Sequence, residues 1–495
     1  MPRAPRPDDL YRFRIATEPR LSPDGRRAVL TLQTVAPGFD GYRHALWLIE
    51  TDGSVPPRQL TLGARHDRHP RVSSDGRTLA FISDRRSLIE EEPGTRGPGR
   101  DPRTKDDRED SKQVHLLPLD GGEARRLIDL PRGVDAFEWS PDGSRLVLVS
   151  SSRGAAGAED DRRRGIDRKA DAGSPPPSDY RFIDRLEYML NGSGFTYDKI
   201  GHLWLVDAAT GVASRLTDGQ VADGAPAWSP DGRKIAFTSH RRRHADLLST
   251  RLDLHVVDVE TRKVTAVTRG PRSMFFAPTW LPDGSAIAAL GHRITGGAGS
   301  RNDIWFFAPD GSDATPSGGR NLSAEHDLMP GAGMASDVTP GEGATLSPSK
   351  DGDWIHFSAP IQGAYELWRI ATGDIAGGDW PQLKFETTPW EDPAYYREIS
   401  PIAYADEIRT PLLIQHSERD LRTTIAQAEA LFTVLRSLRR PVRLLRVPEE
   451  THELTRSGTP FRRIGNLRIV EGWFRHFLID CKCGMPPLPK VRGGQ

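Results

Sequence analysis

The chain has 495 residues, with 68 Lys+Arg against 68 Asp+Glu and a formal net charge of zero. At roughly 100–200 residues per domain, this length predicts two or three domains. The balanced charge gives no electrostatic case for nucleic acid or an anionic membrane surface. Cys481 and Cys483, the chain's 2 cysteines, cannot staple a disulfide scaffold, and no apolar run approaches the roughly 18 residues of a membrane span.

The N-terminus, MPRAPRPDDLYRF, has no apolar h-region. No signal peptide is expected, and a cytoplasmic location is the expectation. From residue 21 one phrase recurs: LSPDGRRAVLTL (21–32), VSSDGRTLAFIS (72–83), WSPDGSRLVLVS (139–150), WSPDGRKIAFTS (228–239) and WLPDGSAIAALG (280–291). A weaker sixth copy is LSPSKDGDWIHFS (346–358). Ser-Pro-Asp-Gly suits a type I turn, since Pro presets φ at the second position and Gly relieves the fourth. The residues after it alternate, as in Lys234-Ile235-Ala236-Phe237-Thr238-Ser239. That period of two predicts a strand with one buried face. Trp139, Trp228 and Trp280, just before the turns, are expected to be core anchors.

A second phrase interleaves with the first: LWLIETDG (46–53), VHLLPLDGG (114–122), LWLVDAATG (203–211), LHVVDVETR (254–262), IWFFAPDG (304–311) and LWRIATGD (367–374). Strand pairs repeating every 50 or so residues predict four-stranded blades around an axis, a β-propeller of six to seven blades. Residues 84–112 and 152–178 interrupt the repeat with mixed charge, Gly and Pro and no hydrophobic period, so they are expected to be mobile loops. The arginines at 162–164 read as part of a solvated loop.

The repeat stops near Gly373. Residues 411–416 (PLLIQH) then read as a buried strand and 441–447 (PVRLLRV) as another. Residues 424–439 place Ile425, Ala428, Leu431, Phe432, Leu435 and Leu438 at helical spacing. Residues 463–478 read as a last helix with Ile464, Leu467, Val470, Phe474 and Leu478 on one face. Strand–helix–strand–helix predicts an α/β unit with a parallel sheet. Asp420 follows the first strand and His452 the second, and strand ends are where α/β sheets place their chemistry. A strand-end Asp followed by a strand-end His is the second half of the Ser…Asp…His order of α/β-hydrolases.

These motifs together resemble the prolyl oligopeptidase family of serine peptidases, nearest its acylaminoacyl-peptidase branch. The stretch RFIDRLEYMLNGSGFTYDKIGHLWLVDAATG (181–211) contributes, and the run from TPWEDPAYYREISPIAYADEIRTPLLIQHSERDLR to VRLLRVPEETHELTRSG is the most specific part. The resemblance implies catalytic roles for Asp420 and His452, an acyl-enzyme mechanism on short or N-acylated peptides, no cofactor and no metal. It implies a propeller that restricts access, and family members often form homo-oligomers. Ser400 and Trp390 resemble framework residues. Thr424 stands where the family often has Pro, and Glu453 where Gly is common; either is expected to alter the loop around His452.

The nucleophile is the larger departure. No Gly-x-Ser-x-Gly string exists, and the settings of Ser193, Ser300 and Ser457 all fail it. A whole hydrolase domain approaches about 250 residues, and only about 120 follow residue 373. The expected organisation is a propeller at 8–373, the C-terminal part of an α/β-hydrolase domain at 380–480 and a flexible tail at 481–495. Three explanations stay open: an internal segment lost by cleavage or deletion, a misassembled gene model, and a natural pseudoenzyme. A non-catalytic propeller that binds or scaffolds is the alternative function. Cys481 with Cys483, His66 with His69, and His240 with His244 carry too little for a metal site, and GDIAGGDW is no phosphate loop.

Overall fold

Each Ser-Pro-Asp-Gly copy closes a tight turn whose capping the residues themselves explain. In the third copy the N–H of Gly143 donates to the Ser140 carbonyl at 2.9 Å. Ser140 Oγ donates to Asp142 Oδ1 at 2.5 Å, and the Arg145 N–H donates back to Ser140 Oγ at 2.9 Å. Gly143 has a φ of +71°, a left-handed conformation open to glycine without steric cost. Leu281 replaces the serine in the fifth copy, and Ser285 Oγ binds Asp283 Oδ1 instead, at 2.7 Å.

The structure is a computed structural model that describes residues 6–85, 112–130, 133–151, 200–242, 251–270, 272–294, 300–325, 346–352, 354–356 and 391–480, with 186, 188–191, 194–196, 245, 330, 387, 482 and 486 besides. Residues 86–111 of the first interruption, the whole of 152–178, the string 367–374 and the gap between the two expected domains lie outside the described residues, as do Ser193, His244, Trp390, Cys481 and Cys483.

Among the described residues the turns generate five antiparallel sheets of four strands, and the sixth copy contributes the pair Ser347–Pro348 and Ile355–His356. The strands after the second to fifth turns are buried on both faces rather than one, whereas Arg27–Val35 after the first turn keeps the expected alternation. Ile235, Ala236 and Phe237 are successive residues, and all are 0 % exposed. The reason is that each blade is sandwiched between two others. One core cluster joins Ile82 and Leu116 of the second blade to Phe137, Leu146 and Leu148 of the third. The tryptophans before the turns do more than fill space. Trp139 Nε1 donates to the Arg71 carbonyl at 3.1 Å, Trp228 to that of Glu138 at 3.3 Å and Trp280 to that of Ala227 at 3.0 Å. Each indole therefore rivets its blade to the preceding one. Lys350 Nζ in the sixth turn reaches the Pro23 carbonyl in the first, at 3.1 Å, and links the two ends of the ring.

Hairpin topology puts these turns at one end of the propeller. The loops between second and third strands lie at the other end, and the C-terminal part docks there. The Phe461 N–H donates to the Phe39 carbonyl at 3.2 Å. Arg463, which is buried, donates to Tyr42 Oη at 2.5 Å, and Arg468 pairs with Asp8.

That C-terminal part holds two parallel strands, Leu412–Ser417 and Val442–Val447, in register from Leu412↔Val442 to Ser417↔Val447. The helix Ile425–Ser437 crosses between them, and Ala405, Leu435 and Val442 form the small core beneath it. Residues 412–416 are only half-buried, although parallel strands normally have both faces covered. The architecture is thus a β-propeller followed by part of an α/β-hydrolase domain.

The last helix departs from its expected face. It runs Pro460–Phe474 and buries Pro460, Arg463, Ile464, Asn466 and Trp473. Leu467, Phe474 and Leu478 are 44 %, 56 % and 70 % exposed. Docking on Tyr42 and Phe39 selects the Arg463–Ile464 face, so the stripe with more apolar residues is left outward.

Phe237→Ala should cost about 3–5 kcal/mol by leaving a cavity between blades. Trp228→Phe, which keeps a ring and deletes only one inter-blade hydrogen bond, should cost about 1 kcal/mol. Urea midpoints of the two variants check this; a Trp228→Phe midpoint equal to that of the parent would show that the indole N–H is not the rivet.

Candidate active site

The two strand ends bring Asp420 and His452 together. Asp420 lies in the turn after Leu412–Ser417 and is 8 % exposed. Its Oδ1 accepts the backbone N–H groups of Arg422 and Thr423, both at 2.9 Å. Its Oδ2 accepts the Thr423 hydroxyl at 2.9 Å and His452 Nδ1 at 2.9 Å. His416 Nε2 stands 3.9 Å from the same oxygen. Burial pushes the carboxyl pKa up, but the hydrogen bonds from His452 and Thr423 outweigh it and hold it below the usual carboxylate range.

The geometry settles the imidazole tautomer. A carboxylate can only accept, so Nδ1 carries a hydrogen, and in the neutral ring the lone pair is the one on Nε2. Nε2 is therefore the nitrogen able to take a proton. Thr423 Oγ1 is 3.3 Å from Nδ1, but it stands on the Asp420 side of the ring and donates to the carboxylate. It braces the acid and is not placed to attack anything. Among the described residues no hydroxyl is hydrogen-bonded to Nε2.

The loop that carries His452 is tied at both ends by Glu450, a buried residue. The Glu450 carbonyl accepts the Arg419 N–H at 2.9 Å. Its carboxylate accepts the Thr459 N–H at 3.1 Å and the Thr459 hydroxyl, with Arg462 at 3.4 Å. Gly458 passes so close that a Cβ there would lie 2.5 Å from the Leu454 carbonyl oxygen and 2.8 Å from Glu450 Oε2. Across the domain boundary, the His452 N–H donates to Asn191 Oδ1 at 3.2 Å.

The two departures from the family pattern fit this loop. Thr424 has φ −61° and ψ 143°, a φ that proline also adopts, so its backbone follows the path a proline would take. Glu453 has φ −86°, where no glycine is required. Its carboxylate pairs with Arg456 at 2.7 Å and Arg422 at 3.5 Å, stitching the His452 loop to the Asp420 turn.

Sequence reasoning missed Thr423, Glu450 and Asn191. Thr423 was findable, because a short polar residue three places after a turn Asp commonly meets its carboxylate. Glu450 and Asn191 had no such signal, since both act through contacts set by the tertiary fold. Among the described residues the remaining candidates do not join the site. Ser400 precedes a short 3-10 helix, Pro401–Tyr404, and Ser457 ends the helical turn Leu454–Ser457. His69 is pushed down to about 4, chiefly by burial and then by Arg71. His66 Nδ1 lies 3.0 Å from that of His44. Among the described residues no group of three His, Cys, Asp or Glu side chains could hold a metal ion.

Residues 372–479 match the prolyl oligopeptidase family. The chain is 34% identical over 235 residues to the uncharacterized peptidase YuxL of Bacillus subtilis, covering 47% of this chain and 31% of that protein. It is 24% identical over 285 residues to dipeptidyl-peptidase 5 of Porphyromonas endodontalis, covering 53% of this chain and 35% of that protein. The chain thus spans about a third of the length of these relatives. In fold it is similar to the acylaminoacyl peptidase of Pyrococcus horikoshii, with a TM-score of 0.66 and 13% identity over 97% of this chain and 98% of that one.

The ionised state of Asp420 has a measurable consequence. A carboxyl held below its unfolded value adds stability above that value, about pH 4. The contribution is lost as pH falls through the folded value. The stability gap between the parent chain and Asp420→Asn should be full at neutral pH and shrink on acidification below about pH 4. Urea midpoints at several pH values check it; a gap constant with pH contradicts an ionised Asp420.

Proposed function

We propose that Asp420 and His452 are the acid and base of a serine-peptidase triad, a reading supported by the match of residues 372–479 to the prolyl oligopeptidase family. The observation that carries this reading is the Asp420 Oδ2 to His452 Nδ1 hydrogen bond, with Nε2 left as the free base. In the proposed reaction Nε2 takes the proton of a serine hydroxyl as its oxygen attacks a peptide carbonyl. The imidazolium that forms is stabilised by the Asp420 carboxylate. It then gives its proton to the departing amine, leaving an acyl-enzyme, and the same base activates water to release the acid.

Short and N-acylated peptides are the proposed substrates, hydrolysed in the cytoplasm without metal or cofactor. The domain organisation is proposed as a propeller at 8–373, a partial hydrolase domain at 380–480 and a tail at 481–495. The chain by itself is proposed to be silent, because no serine stands in an elbow string. The half-covered strands 412–416 support a missing neighbour within the sheet. A non-catalytic propeller that binds peptides is favoured by the same missing elbow string, and one experiment separates the readings.

A chimera would carry a segment with a Gly-x-Ser-x-Gly elbow between residues 372 and 391. The parent chain should take no fluorophosphonate label. The chimera should label on one serine, and labelling should fall by at least about a thousandfold in rate with His452→Ala. Labelling unaffected by His452→Ala contradicts the triad, and a folded, monodisperse chimera without labelling favours the binding protein. Labelling of the parent chain overturns its silence.

A further inference from the structure

Asn191 belongs to the propeller, yet its side chain meets the backbone of His452, 261 positions away. It sits at the tip of a small hairpin, Met189–Leu190 with Gly194–Phe195, closed by the Thr196 N–H donating to the Tyr188 carbonyl at 2.7 Å. The hairpin is inserted between the strands Arg145–Ser150 and His202–Asp207 of the third blade. That is the end of the propeller on which the C-terminal part docks.

The bond fixes the Asn191 amide by elimination. A backbone N–H can be met only by an acceptor, so Oδ1, not Nδ2, must point at His452. The other ties on this loop lie on either side of the histidine. Glu450 holds both ends of the loop, and the Thr451 hydroxyl accepts the Glu453 N–H, at 3.3 Å. The peptide of His452 itself is thus held from the propeller. The imidazole is joined to that peptide through a single Cβ, so the position of the peptide bears on the contact of the ring with Asp420 Oδ2.

We propose that Asn191 is a positioning residue: its amide oxygen holds the His452 peptide so that the imidazole stays on Asp420. The propeller then takes part in the acid–base geometry directly, beyond restricting access. The inference rests on the triad reading of Asp420 and His452 and adds a residue of the other domain to it. Asn191 touches no reacting atom and acts only through the His452 main chain.

The test uses the full chain labelled uniformly with 15N. Asn191→Leu removes the acceptor at similar size, and Asn191→Asp keeps one. Asn191→Leu should speed hydrogen exchange of the His452 amide by about five- to tenfold, the loss of roughly one hydrogen bond. It should also weaken the ring Nδ1–H signal of His452, while amides of the third blade such as Leu203 keep their protection. Asn191→Asp should keep both signals near the parent values. If Asn191→Leu fails to fold, Asn191→Ala replaces it in the same comparison. Unchanged His452 exchange, or equal acceleration by the Leu and Asp variants, overturns the inference. Faster exchange with an unchanged ring signal also overturns it, since the peptide would then not control the ring. Failure of the triad reading looks different: the parent chain would lack a ring Nδ1–H signal that Asp420→Asn removes.

Discussion

A carboxylate and an imidazole from two separate loops must stay within a single hydrogen bond, and much of the C-terminal architecture serves that constraint. The parallel pair Leu412–Ser417 and Val442–Val447 ends in step, so the turns after the two strands emerge side by side. Asp420 is then saturated by two backbone N–H groups, one hydroxyl and one ring N–H. A buried carboxylate so satisfied tolerates its charge and has little freedom to turn away. Glu450, Glu453 and Asn191 hold the other partner, each from a different direction.

The propeller bears on this site through docking. Its far end is a ring of capped turns, and its near end carries the loops that meet the last helix. Arg463 is a buried cation whose partner there is a tyrosine hydroxyl of the first blade. A buried charge needs such a contact, so this interface orients the helix and, through Gly458 and Thr459, the loop that starts it. The exposed stripe Leu467, Phe474 and Leu478 is the counterpart of that choice.

The sequence made the repeating and local features readable. Ser-Pro-Asp-Gly followed by alternation is a local code, and the turn and strand it specifies depend on few outside contacts. The strand-end positions of Asp420 and His452 were readable for a similar reason, as a parallel α/β pair fixes where its strands end. Burial of Ile235, Ala236 and Phe237 on successive positions was not readable, because alternation reports one face and blade-to-blade packing covers both. The buried face of the last helix was also hidden. Periodicity counted apolar residues, whereas docking on Tyr42 and Phe39 decided the matter. Asn191 lay in the 181–211 stretch, in a string weighed as an elbow and rejected, and nothing local announced its contact with His452, 261 positions away.

A double-mutant cycle on Asp420 and His452 tests the central contact most directly, with folding stability at neutral pH as the readout. Asp420→Asn, His452→Gln and the double variant should give a coupling energy of about 0.5–3 kcal/mol, as expected for groups in contact. Strictly additive losses would mean that the carboxylate and the imidazole do not hold one another, and the acid–base pair would not exist in solution.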